Sequence, residues 1–251
     1  MKKLALFLIA LCLLSSCEKD NETTDHPKKT YDIKYNGNDI VNIVLREERD
    51  LNVSSDYQLY YYSDNESAVT IEDGVIYGKN VGEANITISN STDSIVIHVI
   101  VSLYEEPCKD FNISQEEIRE IYGEPNYVKE NDDTTAYIYG SGNNWYSYAV
   151  WEMDLFFISN QYIEADLYIR SDVELRLDEF LDNNYFYQYS DTINEQIYHI
   201  CLNEEQPENA SVLLGKINNA GIYDDICIFY TQYTHNDDSY KNLIKRRNRI
   251  K

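Results

Sequence analysis

The sequence predicts an all-β Ig-like sandwich followed by an α+β domain made of two helix-plus-antiparallel-strand repeats. Three observations support this fold class. Residues 31–103 alternate between apolar and polar side chains on a two-residue period, with turn residues between the runs. A helix-start pattern at Ser114 recurs 57 residues later at Ser171. Aromatic, alternating segments follow both helix starts, as expected of antiparallel strands.

Residues 1–16 predict a lipoprotein signal peptide. Lys2 and Lys3 precede an unbroken apolar run from Leu4 to Leu14, which is too short to span a bilayer as a mature helix. The run ends in Leu-Ser-Ser-Cys, which resembles the lipobox of bacterial outer-membrane lipoproteins. The resemblance implies that Cys17 is lipidated and begins the mature chain. An ordinary signal peptide with a chance cysteine is the alternative.

Residues 17–30 predict a lipidated, polar tether that holds the folded part near the membrane. Glu18 follows the cysteine where a signal for inner-membrane retention usually has Asp, so the resemblance favours the outer membrane and a surface-exposed protein. The membrane is then a partner through the lipid anchor. Which leaflet carries the protein stays open.

Three cysteines remain in the predicted envelope compartment, which is oxidising. Cys201 and Cys227 both lie in strand-like segments, so we predict a disulfide between them and a free thiol at Cys108. The alternative is that all three are small buried hydrophobic residues.

The predicted sandwich covers residues 31–103. Its turns contain Glu72-Asp73-Gly74, Lys79-Asn80-Val81-Gly82 and Asn90-Ser91-Thr92-Asp93. Short strands at regular spacing are typical of a β-sandwich. The predicted strands are Ile40–Leu45, Asp56–Tyr62, Val69–Ile71, Val75–Tyr77, Ala84–Ile88 and Ser94–Val101.

Part of this region resembles the bacterial Ig-like group 2 family. The resemblance lies in an aromatic residue at Tyr61, then Ser63-Asp64-Asn65, an apolar strand, a turn at Gly74 and the later Gly82-Glu83-Ala84-Asn85-Ile86. The family usually has Trp at the position of Tyr61, and a Tyr can fill the same core position if its hydroxyl reaches a partner. The family implies a spacer or adhesive module without catalytic residues.

Residues 104–238 predict the α+β domain, with repeats over about 107–170 and 171–233. In each repeat a Ser is placed as helix N-cap, and a Glu three positions later completes a capping box. Helices are therefore predicted over 114–122 and 172–182, each followed by three or four strands. The arrangement resembles tandem-repeat envelope proteins of the β-lactamase-inhibitor type, in which one sheet carries both helices on one face.

The net charge of −23 argues against a nucleic-acid partner, because phosphate binding needs Lys and Arg. Residues 104–238 contain 28 acidic and 6 basic residues, so most of the acidity belongs to the predicted α+β domain. The tail, residues 239–251, instead has 6 basic residues and no acid. This tail either contacts anionic lipid, lies on the acidic body of the protein, or ends freely in solvent.

No catalytic motif is found, so we predict that the protein is not an enzyme and has no cofactor or metal. His199 and Cys201 share a strand face, but cross-strand packing explains them better than a nucleophilic pair. Adjacent acids such as Asp132-Asp133 are better explained as solvated charge than as calcium ligands. Glu152, Glu164 and Asp166 are conceivable glycosidase carboxylates, although no spacing selects a pair.

The aromatic segment from 145 to 151 is the sharper functional clue. On a strand, Trp145 and Trp151 would share one face while Tyr146 and Tyr148 share the other. Exposed aromatic rings stack on sugars or anchor proteins, so these four are the candidate ligand-binding residues. The sequence thus predicts a non-enzymatic binding or adhesion module for a glycan or an envelope protein. A protein-docking inhibitor or assembly factor and a polysaccharide-acting hydrolase are the alternatives.

Overall fold

Over the residues that the structure describes, the protein is mostly β-sheet, with two α-helices and sandwich-like sheets. The computed structural model describes residues 33–131, 133–140, 146–193, 196–218 and 225–233, apart from the side chain at 193. The signal peptide, Cys17 and the tail at 239–251 lie outside the described residues.

Two small sheets form the first part of the fold. One sheet has the order β1-β7-β6-β3 with β1 parallel to β7, and the other has the order β2-β5-β4. Their strands are β1 (Ile40–Val44), β2 (Glu48–Asp50), β3 (Tyr60–Ser63), β4 (Val69–Glu72), β5 (Val75–Gly78), β6 (Gly82–Ser89) and β7 (Ser94–Ser102). The predicted alternation is confirmed, since Ala84, Ile86 and Ile88 of β6 are buried while residues between them are not.

The core between the two sheets is aliphatic, with Tyr61 at its rim. Ile76 of β5, Ile86 of β6 and Val99 of β7 are completely buried in it. The Tyr61 ring packs against this cluster, and burial raises the pKa of its hydroxyl. The Tyr61 ring therefore contributes apolar surface to the core, as a Trp ring at the same position would.

Eight antiparallel strands form a second, larger sheet. Its order is β12-β13-β14-β15-β11-β10-β9-β8, so β11 and β15 meet at its centre. The strands are β8 (Tyr127–Asn131), β9 (Thr134–Gly140), β10 (Val150–Ile158), β11 (Gln161–Ile169), β12 (Phe186–Ile193), β13 (Gln196–Leu202), β14 (Val212–Ile217) and β15 (Ile226–Gln232). Helix α1 (Gln115–Tyr122) precedes β8, and helix α2 (Glu174–Asn184) precedes β12.

Both helices pack on one face of this sheet, which we call the helix face. Ile118 of α1 and Leu177 and Leu181 of α2 share one core cluster with Leu155 of β10 and Leu167 of β11. Leu45, Leu103 and Tyr104, from the sandwich and the segment after it, belong to the same cluster. The sandwich and the helix face are therefore joined by a common apolar core.

The first helix start is confirmed. The Glu117 backbone N–H donates to the Ser114 hydroxyl at 3.2 Å, and the Ser114 backbone N–H donates to the Glu117 carboxylate at 2.8 Å. The Ser114 backbone N–H, and then the Ser114 hydroxyl, which donates to the same carboxylate at 2.8 Å, lower the pKa of Glu117. Gly123 closes the helix with φ 77°, in the left-handed half of backbone space that favours glycine.

The prediction that the second helix starts at Ser171 is wrong. Residues Ser171–Val173 form a short 3₁₀ turn, and α2 begins afterwards at Glu174 without a side-chain cap. The Glu174 carboxylate does not reach back to Ser171, because it accepts the Asn218 amide at 3.0 Å and lies 3.4 Å from the Lys216 ammonium. A tertiary contact thus replaces the predicted local cap.

The two serines give a matched pair of variants for helix capping. Ser114→Ala should lower the free energy of unfolding by about 1 kcal/mol, because it removes one acceptor and one side of the capping box. Ser171→Ala should change it by less than about 0.5 kcal/mol, since no cap is lost. Urea unfolding measures both, and equal losses would contradict the assignment.

Candidate binding surfaces

The predicted aromatic segment is not a continuous strand. Residues 146–149 form bends, and β10 begins at Val150. The backbone N–H groups of Ser147 and Val150 explain the turn, since Ser147 donates to the Val150 carbonyl at 2.8 Å and Val150 donates to the Ser147 hydroxyl at 3.1 Å. The predicted alternation of faces therefore fails, and Trp145 lies outside the described residues.

Tyr146 and Tyr148 lie at the junction between the sandwich and the larger sheet. They line a cleft of about 480 Å³ together with Arg46 and Glu105. The guanidinium groups of Arg46 and Arg170 lie 5.8 and 4.9 Å from the Tyr148 ring centroid. Burial raises the pKa of Tyr146 well above its usual range. The Tyr148 ring thus already stacks with two cations, which leaves less of it for a sugar.

Trp151 lies apart from these two tyrosines, within β10. Its ring centroid is 5.4 Å from that of Tyr168 on β11. Of the four predicted ligand-binding residues, the structure brings Tyr146 and Tyr148 together and places Trp151 elsewhere. Their role in ligand binding remains a prediction.

Cys201 and Cys227 are not brought together. They lie on β13 and β15 with β14 between them, which is about 10 Å of separation at the spacing of neighbouring strands. Cys201 belongs to the core cluster on the helix face and Cys227 to the cluster on the opposite face. The predicted disulfide is therefore not formed, because it needs Cα atoms within about 7 Å, and all three described cysteines are free thiols.

The His199 and Cys201 side chains share the helix-face side of β13, as the period predicts. His199 Nδ1 is 3.0 Å from the Ser190 hydroxyl. Burial, and then the charge of Asp182, raises the pKa of the Cys201 thiol to about 11. At neutral pH the thiol is therefore protonated, which suits a packing residue better than a nucleophile.

The predicted carboxylates lie on the face of the large sheet opposite the helices, which we call the far face. Asp166 of β11 is directly opposite Asp154 of β10 in the register, and Glu164 is opposite Phe156. No group of three metal-binding side chains occurs within the described ranges. Asp132 lies outside the described residues.

A surface that sequence reasoning missed is the outer face of the four-stranded sheet. Tyr60 and Tyr62 of β3 are 58% and 61% exposed, and Val96 of β7 is 55% exposed. The register places Tyr62, Thr87 and Val96 in one row across β3, β6 and β7. We call this surface the Tyr60–Tyr62 face. The signal was present in the sequence, because Tyr61 in the core requires its two neighbours to point outward.

The Tyr60–Tyr62 face combines aromatic rings with neutral hydrogen-bonding groups. The two tyrosines are two residues apart on one strand, so their Cα atoms are separated by about 7 Å. Asn85 lies on the same face, where its Oδ1 is 3.1 Å from His98 Nδ1 and its Nδ2 donates to Asp64 at 2.8 Å. The Asn85 side-chain amide, and then its backbone N–H, which donates to Asp64 at 2.7 Å, lower the pKa of Asp64. The amide is thereby fixed in orientation beside the rings.

Comparison with known proteins adds little to this geometry. No known protein family matches the sequence, and no curated protein does. A solved structure, domains 5-6 of the S-layer protein SbsC, is similar over 83% of this chain and 86% of that chain, with 10% identity and a TM-score of 0.24. A TM-score this low supports no inference about fold or function.

The described part of the chain contains no helix that is both long and apolar enough to cross a membrane.

Proposed function

We propose that the protein is a non-enzymatic, lipid-anchored binding protein of the bacterial envelope and that it holds a neutral glycan on the Tyr60–Tyr62 face. The observation that carries the proposal is the exposed tyrosine pair on a regular sheet face. Large rings that stay exposed on a folded surface are available to stack on the apolar faces of sugars.

The chemistry of the face favours an uncharged ligand. Around the two rings, Thr87, Ser89 and Asn85 offer hydroxyl and amide groups that suit sugar hydroxyls. The rest of the protein is strongly acidic, so an anionic polymer would be repelled before reaching this surface. A neutral polysaccharide carries no charge and is not repelled in this way.

We propose that Cys17 carries the lipid anchor and that the outer membrane is the site of attachment. The Leu-Ser-Ser-Cys sequence after the apolar run supports this. Mass measurement of the mature protein should show diacylglycerol at residue 17, and Cys17→Ser should release the protein into the soluble envelope fraction. An unmodified, membrane-free wild-type protein would contradict the anchor.

We further propose that residues 107–170 and 171–233 are two copies of one helix-plus-strand unit. In chain order each contains a helix followed by four strands, and the strand order of the large sheet is symmetric about the β11–β15 pair. The different N-termini of α1 and α2 are the main local departure from that symmetry.

The glycan proposal is tested with paired tyrosine variants. Tyr60→Ala/Tyr62→Ala should weaken binding to neutral polysaccharide by about tenfold or more, because two stacking rings are lost. Tyr187→Ala/Tyr189→Ala is the matched control, since those rings are exposed on the distant edge strand β12. Isothermal titration with neutral and anionic glycans measures both. Equal affinities for the two variants, or no binding by the wild type, would refute the proposal.

A second candidate function is docking of an envelope protein at the edges of the large sheet. Edge strand β8 exposes Tyr127 and Val128, and edge strand β12 exposes Phe186 and Tyr187. Exposed aromatic residues on unpaired edges suit strand addition by a partner. Recovery of one stoichiometric protein, lost in Phe186→Ala/Tyr187→Ala, would favour this function over glycan binding.

A further inference from the structure

Asp64 lies beside the two exposed rings of the Tyr60–Tyr62 face. It follows the last residue of β3, and its backbone N–H donates to the Asn85 carbonyl at 3.2 Å, so the pairing with β6 continues past the end of the strand. Residues two apart on a strand share a face, and their Cα atoms are about 7 Å apart. The Asp64 side chain therefore lies on the same side of the sheet as Tyr62, where it is exposed.

The Asp64 carboxylate is held in one orientation. Its Oδ2 accepts the Asn85 side-chain amide at 2.8 Å, and its Oδ1 accepts the Asn85 backbone N–H at 2.7 Å. One bond to each oxygen fixes the plane of the group. Because these two bonds lower the pKa of Asp64, the carboxylate is ionised at neutral pH and acts only as an acceptor.

The amide that holds Asp64 is itself fixed. A carboxylate only accepts hydrogen bonds, so Nδ2 of Asn85 must point toward Asp64 and Oδ1 must point away from it. Oδ1 lies 3.1 Å from His98 Nδ1, and His98 Nε2 lies 3.3 Å from a carboxylate oxygen of Glu83. The four side chains form one connected network across the face. The Asp64 acceptor is therefore preorganised before any ligand arrives.

The other polar groups next to the rings are less selective. Thr87 and Ser89 lie opposite Tyr62 and Tyr60 in the register. A hydroxyl group rotates and both donates and accepts, so it adapts to many arrangements of ligand hydroxyls. The fixed carboxylate does not adapt in this way. Selectivity between sugars is therefore expected from Asp64.

A fixed carboxylate next to an aromatic ring suits a sugar with two free hydroxyls on adjacent carbons. When the apolar face of the sugar lies on the Tyr62 ring, its hydroxyls point outward from the edge of the sugar, toward the neighbouring positions of the sheet. Two adjacent hydroxyls can then donate together to the Asp64 carboxylate. A sugar that lacks one of them leaves this acceptor partly unpaired, and a site built for such bonds discriminates strongly against it.

We propose that Asp64 is the specificity-determining residue of the Tyr60–Tyr62 face and selects glycans whose stacked ring has two free hydroxyls on adjacent carbons. This inference rests on the proposed glycan-binding function and adds the class of glycan. The two tyrosines supply affinity for any neutral sugar that can stack. Asp64 supplies the choice between sugars, and Asn85 is the positioning residue that holds its carboxylate.

Neutral polymers that differ only in linkage test this choice. Long, linear glucans and mannans are each used in a 1,6-linked and a 1,3-linked form. In the 1,6-linked form every internal ring keeps adjacent free hydroxyls, whereas in the 1,3-linked form the linkage occupies the middle one of them. Isothermal titration should show that the wild type binds the 1,6-linked form of its preferred sugar at least about tenfold more tightly than the 1,3-linked form.

Variants of the acceptor should remove this preference. Asp64→Asn should lower the ratio of the two affinities to within about twofold of one, because it weakens binding of the 1,6-linked polymer alone. Asp64→Glu should lower the ratio as well, since it keeps the charge but moves the carboxylate away from Asn85. Asn85→Ala should lower the ratio in the same direction, whereas a merely structural role would weaken both polymers equally.

Asp73→Asn is the matched control. Asp73 is exposed in the turn between β4 and β5, on the other sheet of the sandwich, and its φ of 48° is one that Asn also adopts. The variant removes the same charge and should leave the ratio unchanged. Equal binding of the two linkages by the wild type, or an unchanged ratio in Asp64→Asn, would overturn the inference.

The tyrosine variant separates this inference from the proposed function. Tyr60→Ala/Tyr62→Ala should weaken binding of both linkages. If it does so while Asp64→Asn keeps the wild-type ratio, the glycan site stands and the role of Asp64 is wrong. If the wild type binds none of the four polymers, the proposed function and the inference are both refuted.

Discussion

Replacing Glu106 with alanine is expected to lower the free energy of unfolding by about 3 kcal/mol. Glu106 follows the sandwich in the chain and accepts hydrogen bonds from two buried tyrosines of the larger sheet region. The Tyr230 hydroxyl donates to its carboxylate at 3.3 Å, and the Tyr185 hydroxyl donates to the same oxygen. The Tyr104 and Tyr230 hydroxyls are 2.6 Å apart, so three phenols share one acceptor network.

The expected loss of stability is large because these buried hydroxyls cannot form hydrogen bonds with water instead. Tyr104 and Tyr230 are completely or almost completely buried, and burial raises the pKa of both hydroxyls well above the usual range. They therefore remain protonated donors at neutral pH. Removing the carboxylate leaves buried donors without their acceptor, which costs more than the net value of a hydrogen bond.

Glu105 provides the control for this prediction. It is adjacent in sequence and has the same charge, but its side chain is exposed. Glu105→Ala should change the free energy of unfolding by less than about 0.5 kcal/mol, and Tyr230→Phe should cost about 1 kcal/mol. Urea unfolding followed by tyrosine fluorescence gives all three values. Similar losses for Glu105→Ala and Glu106→Ala would show that the network does not stabilise the fold.

The sandwich could be predicted from sequence because its signals are local. The period-two burial of β6 and the turn at Gly74, with φ 86°, follow from residues that are close in the chain. The short strand β2 was missed because its residues, Glu48, Arg49 and Asp50, are all polar and exposed. A strand without an apolar side has no periodicity to detect.

The errors at 145–151 and Ser171 have a common physical origin. In both places a tertiary or turn contact replaces the local preference of the residues. Aromatic residues favour strands, but the Ser147–Val150 hydrogen bonds close a turn there instead. At Ser171 the Glu that should complete the capping box is engaged by Lys216 from β14, a residue 42 positions away. A prediction from the residues around Ser171 does not include a contact with a residue so far away in the chain.

The candidate sites were harder to predict than the fold, because exposure is a property of the assembled sheets. Tyrosines at 104, 137, 162 and 230 are buried in the core of the larger sheet region, although their sequence context resembles that of Tyr60 and Tyr62. The first group lies in the core cluster on the helix face of the large sheet, whereas Tyr60 and Tyr62 lie on the exposed outer face of the four-stranded sheet. Sequence periodicity assigns residues to faces, and the packing of other elements decides which face is open.

Removing the two carboxylate partners of Lys216 is expected to destabilise the fold more than removing Lys216 itself, because only the lysine is buried. Its ammonium is 2.5 Å from Asp178 and 3.4 Å from Glu174 on α2, and its side chain is 8% exposed while the two carboxylates are 49% and 41% exposed. Glu174→Ala/Asp178→Ala should therefore lower the free energy of unfolding by about 3 kcal/mol, because the lysine stays buried without a partner. Lys216→Met should cost less than about 1 kcal/mol, since both carboxylates can return to water and the thioether fills the same space.

The combined variant separates two explanations for these pairs. If burial of an uncompensated ammonium causes the loss, then adding Lys216→Met to Glu174→Ala/Asp178→Ala should restore most of the stability, although it removes the last of the three charges. If attraction between α2 and β14 stabilises the fold, Lys216→Met alone should cost as much as the double carboxylate variant, and combining them should restore nothing. Urea unfolding of the four chains decides between these outcomes, because a double-mutant cycle isolates the coupling between the lysine and its partners. The exposure of the carboxylates favours the first explanation, since solvent screens the attraction but cannot reach the buried ammonium.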